Sequence, residues 1–162
     1  VILVIGYGNP LRGDDGVGWV VAERLASRAG VEVVTTQMLV PELAERVAAA
    51  TTVIFVDARV GTDQGSVHCD AISSRAERHP LGHVASPESL LRLAEALSSH
   101  RPPAFVVSVT GADFDFRATL SEAVLHAVPG TIQLIERLIE GDRDVVEPNT
   151  RCLREADDER GS

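Results

Sequence analysis

A glycine-rich turn between an apolar run and a helical stretch constrains this chain more than any other feature. Val1-Ile2-Leu3-Val4-Ile5 reads as a buried strand, and residues 17–29 carry apolar spacing of helical period. Between them runs Gly6-Tyr7-Gly8-Asn9-Pro10-Leu11-Arg12-Gly13-Asp14-Asp15-Gly16-Val17-Gly18. A strand, a tight glycine turn and a helix in that order open a parallel α/β sheet. The turn ends in two carboxylates, where a helix N-terminus ordinarily attracts anions. A phosphate cradle at that point has no use for Asp14 and Asp15, so the turn suits a cation or a polarised water.

Nucleotide-binding readings fail on particular residues. Gly6-x-Gly8 opens like a dinucleotide fingerprint, but Leu11 stands at the third glycine position. The second strand ends Val34-Thr35-Thr36-Gln37, without the acid that would meet a ribose. Pro10 also removes an amide that a phosphate would use. The chain has no Gly-Lys-Ser/Thr loop and no G-x-S-x-G elbow, and Cys69 falls inside an expected strand.

Strand-like and helix-like segments alternate along the chain. Strands are expected at residues 1–5, 31–36, 52–57, 66–72 and 104–109, and helices at 17–29, 41–49, 87–97 and 121–140. Pro41 and Pro87 suit first helical turns, with Ser86 and Ser121 as N-caps. Pro129-Gly130 is expected to kink or split the last helix. This pattern predicts an α/β fold of one domain over 1–141, with a mostly parallel sheet between helical layers. Residues 142–162, charged and aperiodic, are expected to form a mobile tail.

Bulk properties narrow the partners. The 162 residues suit one ordinary domain, and the net charge of −9 disfavours nucleic acid. No apolar run reaches the ~18–20 residues of a membrane span, and no basic-then-apolar leader is present. Val1 is not an initiator Met, so the native start need not be here. Cys69 and Cys152 lie far apart, which points to a reducing cytoplasm rather than a disulfide framework.

In open α/β sheets the site lies beyond the C-terminal ends of the strands. The first strand delivers Asp14 and Asp15, and the third, Val53-Ile54-Phe55-Val56, ends at Asp57. The fifth leads to Gly111-Ala112-Asp113-Phe114-Asp115-Phe116, and His79-Pro80-Leu81-Gly82-His83 precedes the helix at Pro87. Each residue has a plainer reading. Asp15 would cap a helix, Asp57 would satisfy loop amides, Asp113 and Asp115 would form turns, and His79 or His83 would be a surface histidine. Taken together, two acids and an imidazole suit a divalent transition metal with an open position.

The segment Gly6–Gly18 resembles the opening motif of the [NiFe]-hydrogenase maturation endopeptidases. Val53-Ile54-Phe55-Val56-Asp57-Ala58 and Gly82-His83 agree with two further family blocks, and the resemblance extends over about residues 1–140. Gln37-Met38-Leu39-Val40-Pro41-Glu42-Leu43 resembles part of the family. The resemblance implies an α/β/α sandwich with a twisted five-stranded sheet and one antiparallel edge strand. Residues 66–72 are the candidate for that strand, because the loop after Asp57 is too short for a helical crossover. It also implies removal of a C-terminal extension from the hydrogenase large-subunit precursor after nickel insertion. By correspondence, the nickel contacts would be Asp15, Asp57 and His83. His83 is preferred to His79 because it stands just before the Ser86-Pro87 helix start.

The nickel is expected to arrive with the precursor rather than to reside in the free enzyme, which is expected to act as a cytoplasmic monomer. Cleavage would use the metal as a Lewis acid, or Asp15 or Asp57 as a general base in aspartic-type hydrolysis. Two other functions stay open. A peptidase of different specificity would cut short peptides unaided. A non-catalytic domain binding a partner's tail would show no cleavage for Asp15 to support.

Overall fold

The computed structural model describes residues 1–73 and 86–148. Five strands form one sheet: β1 (Ile2–Tyr7), β2 (Val31–Thr36), β3 (Thr52–Arg59), β4 (Val67–Ala71) and β5 (Ala104–Thr110). Their order is β2-β1-β3-β5-β4. The first four in that order run parallel, and β4 pairs antiparallel with β5 at the edge, as expected for residues 66–72. The helices are α1 (Val17–Leu25), α2 (Ala44–Ala49), α3 (Pro87–Ser98) and α4 (Glu122–Ile139). One-turn 3-10 segments, Gly13–Gly16 and Pro41–Leu43, lead into α1 and α2.

Side-chain alternation along the strands divides the core in two. Val4, Ile54, Val56, Val107 and Val109 point to one face, where Val17, Val21 and Leu25 of α1 meet Val124, Val128 and Ile135 of α4. Leu3, Ile5, Val53 and Phe55 point to the other, against Ala44 and Val47 of α2 and Leu90, Leu91 and Ala94 of α3. The molecule is thus a three-layer α/β/α sandwich around a twisted, mostly parallel sheet. Ser86 caps α3 by accepting a bond from the Ser89 amide at 3.2 Å, and Ser121 caps α4.

Close backbone approach explains two of the glycines. A Cβ on Gly18 would stand 2.4 Å from the Val56 carbonyl oxygen, and one on Gly6 would stand 2.1 Å from that of Gly18. The first turn of α1 therefore lies directly on β1 and β3, with no room for a side chain between.

Two expectations need correction. Pro129-Gly130 does not split α4, which runs unbroken from Glu122 to Ile139. Both residues face solvent and Leu125 is exposed, so the carbonyl that Pro129 leaves without a donor lies on the wet side of the helix. The tail expected from residue 142 is docked over its described part, 142–148. Val145 and Val146 pack on the α4 side of the core, and the Glu147 amide donates to the Cys69 carbonyl at 2.7 Å. Arg143 lies 4.7 Å from the Phe105 ring centroid. The absence of helical period hid this segment, because two adjacent valines suffice to anchor it.

Candidate active site

The strand order reverses between β1 and β3: the chain leaves β1 for β2 on one side and returns to β3 on the other. The turn after β1 carries Asp15 and the C-terminal half of β3 carries Asp57, so both acids lie at the switch point where α/β proteins place their sites.

The glycine turn is fastened on three sides. At its start, the Gly8 amide donates to the Thr36 carbonyl at 3.1 Å, and Trp19 Nε1 donates to the carbonyls of Gly8 (2.9 Å) and Thr36 (3.1 Å). Gly8 has φ +133°, and a Cβ there would stand 2.1 Å from the Asp15 carbonyl oxygen. At its middle, Leu11 and Gly13 pair with Arg117 in the loop after β5.

Asp14 fixes the turn's far end. Its carboxylate is fully buried and accepts bonds from the amides of Ala112 (2.7 Å), Asp113 (2.9 Å) and Ser121 (2.7 Å), and from the Ser121 hydroxyl (2.7 Å). Burial alone would push this carboxyl up, but the four donors outweigh it and hold it below the usual carboxylate range. Asp14 is thus a structural anion. The sequence offered no sign separating it from Asp15.

Asp15 has a different environment. Its Oδ2 accepts a 2.6 Å bond from the Asn9 amide, and no side chain caps α1 at Gly16. The capping reading of Asp15 is therefore set aside: the half-buried carboxylate turns back over the glycine turn.

Asp57 continues the face of β3 that carries Val53 and Phe55. Its Oδ1 accepts from the Ala58 amide at 2.8 Å. Burial pushes its pKa up to about 6. The Tyr7 hydroxyl, acting as donor, and the Ala58 amide oppose the rise, and the charge of Asp15 adds to it. The charge of Asp15 thus reaches Asp57. Tyr7, at the end of β1, is held neutral by burial and by the Asp57 charge, and its ring meets Phe55 edge-on at 6.5 Å. Tyr7 is the site neighbour that sequence reasoning missed; its odd-numbered place on β1, sharing a face with Asp57, was the available signal.

The remaining candidates divide. Asp113 accepts the Asp115 amide at 2.9 Å and pairs with Arg117 at 3.2 Å, which makes it a turn-former. His83 and His79 lie outside the described residues. Among the described residues no group of three or more His, Cys, Asp or Glu side chains is placed to hold a metal ion, so the described part of the site is a pair of carboxylates. Cys69 is buried with its thiol pushed up to about 12 by burial, which leaves no nucleophile there.

Fold and site together define a doubly wound α/β/α protein with two carboxylates, Asp15 and Asp57, at its strand-order reversal. Solved hydrogenase maturation proteases share that fold, and these are the family that the glycine-turn motif resembles. The hydrogenase maturating endopeptidase HybD from E. coli superposes with a TM-score of 0.70 at 20% identity, covering 88% of this chain and 93% of its own. The [NiFe] hydrogenase maturation protease HybD from Thermococcus kodakarensis gives 0.68 at 22%, covering 85% and 97%. HycI from the same organism gives 0.66 at 22%, covering 86% and 92%. At these identities the likeness is one of fold. No protein-family model and no curated protein matches the chain.

Proposed function

We propose that this chain is an endopeptidase that removes the C-terminal extension of a [NiFe]-hydrogenase large-subunit precursor after nickel insertion. The observation that carries the reading is the Asp15–Asp57 pair at the strand-order reversal, with Asp57 held at a pKa of about 6 by burial. The fold shared with named maturation proteases and the Gly6–Gly18 motif support it.

On this reading the nickel belongs to the substrate. Asp15, Asp57 and His83 complete its coordination and so report that the cofactor is loaded. Hydrolysis adds water to the scissile carbonyl and releases the extension as an amine. A carboxylate oxygen of Asp15 or Asp57 takes the proton from that water. The chain works as a cytoplasmic monomer, and among the described residues no helix is long and apolar enough to cross a membrane.

The test compares nickel-loaded precursor, nickel-free precursor and a free peptide spanning the cut. Cleavage of the loaded precursor alone is expected. Efficient cleavage of the peptide would establish a general peptidase instead, and no cleavage of any of the three would leave a binding domain.

A further inference from the structure

A small hollow of about 160 Å³ borders the glycine turn, lined by the side chains of Pro10, Trp19, Val20, Ala118 and Leu120 and, on its polar side, by Glu23 and the backbone of Gly13 and Gly16. That volume is below the ~300 Å³ at which small-molecule sites begin. It suits one side chain rather than a small-molecule ligand. Close in sequence to its lining residues Pro10 and Ala118, the same two loops carry Leu11 and Phe116, 58% and 78% exposed. Single exposed apolar residues are ordinary, but these two are joined. The Arg117 amide donates to the Leu11 carbonyl at 2.9 Å, and the Arg12 guanidinium lies 4.7 Å from the Phe116 ring centroid. Hollow and rim sit on the same two loops that Asp14 ties together, so the surface is formed in advance and little ordering is lost on binding.

Charge indicates what fits it. In a chain of net charge −9, Arg12 has no ion-pair partner among the described residues, whereas Arg117 is neutralised by Asp113. Arg12 therefore offers an unspent positive charge at the rim, while Glu23 repels acids from the opposite side.

We propose that this hollow and rim are the docking socket for the folded precursor: it receives one large apolar side chain whose neighbouring carboxylate pairs with Arg12. The socket lies outside the Asp15–Asp57 crevice, so it grips the body of the substrate rather than the bond being cut. This inference rests on the proposed function and adds the recognition element.

Ala118→Phe fills the hollow, and Arg12→Glu reverses the rim charge; both positions are exposed, so folding is little perturbed. Arg24→Glu, an exposed reversal on α1, controls for net charge. With nickel-loaded precursor as ligand, each socket variant should raise Kd and KM by roughly tenfold, the scale of a lost interface anchor, while Arg24→Glu leaves both within twofold. Thermal melts confirm folding. If the wild-type chain cuts the precursor and neither socket variant changes KM, the socket is overturned and the function stands. If the wild-type chain neither binds nor cuts the precursor, both fall.

Discussion

Asp14 and Ser121, 107 residues apart in sequence, are joined twice: the Ser121 amide donates to Asp14 Oδ1 and its hydroxyl to Asp14 Oδ2, each at 2.7 Å. One residue of the glycine turn thereby fixes the cap of the last helix.

Asp14→Asn and Asp15→Asn should therefore separate. An amide at position 14 would turn a donor toward the donors of Ala112, Asp113 and Ser121, and we expect a loss of ~2–4 kcal/mol in denaturant unfolding. Asp15→Asn should stay within ~1 kcal/mol of the parent and abolish precursor cleavage. Equal destabilisation by both would assign Asp15 a structural role as well.

Asp57→Asn should stabilise the protein while abolishing cleavage. Keeping a buried carboxylate ionised beside Asp15 raises its pKa from 3.8 to about 6. At neutral pH that costs on the order of 1–3 kcal/mol, which a neutral amide removes. A lower melting temperature for this variant would contradict the assigned environment.

The pH dependence has two signs. Between 3.8 and about 6 the folded state keeps a proton on Asp57 that the unfolded chain has released, so stability falls as pH rises through that window. Asp14 acts oppositely: although burial raises its pKa, its donors bring it below 3.8, so its contribution is present above that value and lost as pH falls. Asp63, held low by its bond to His68, and Asp142, held low first by the Asp144 amide, share this acid limb. Melting curves from pH 3 to 8 should show both limbs, and Asp57→Asn should flatten only the upper one.

Truncation should isolate the contribution of the docked segment, residues 142–148. A chain ending at residue 141 loses the packing of Val145 and Val146, the Arg143–Phe105 contact and the His68–Glu147 pair. We expect its melting temperature to fall by roughly 3–10 °C, equivalent to a few kcal/mol at this size. A chain ending at 148 retains these contacts and should melt well above it. Equal melting of the two would show that the segment contributes nothing.

Gly18→Ala should be among the most damaging single substitutions, because its Cβ would press to 2.4 Å from the Val56 carbonyl. We expect a loss exceeding ~3 kcal/mol, or insoluble chain, in expression and unfolding assays.

The fold was legible because its signals are local. β-branched runs marked four of the five strands, the short loop after Asp57 marked β4 as the antiparallel one, and Ser86-Pro87 and Ser121 marked the starts of α3 and α4. The placement of Asp15 and Asp57 beside the strand-order reversal was legible because each follows or ends a β-branched run. The features that escaped depend on tertiary contact. Asp14 differs from Asp15 only through partners 98 to 107 residues away. The docking of residues 142–148 depends on a Cys69 carbonyl at the sheet edge, and the survival of α4 through Pro129 depends on which side of the helix faces water. α1 was expected to reach residue 29 but ends at Leu25, where the chain turns so that Arg28 can reach Glu136 and Glu140 of the neighbouring α4.

The bonds of Asp14 carry a consequence for the newly made protein. The glycine turn precedes most of the domain in the chain, but Ala112, Asp113 and Ser121, which hold it, follow it by 98 to 107 residues. Until that stretch has emerged and α4 has begun to wind, the turn has no anchor at its far end. A partly synthesised domain thus carries its acids without the frame that aims them until residues as far as Ser121 have emerged.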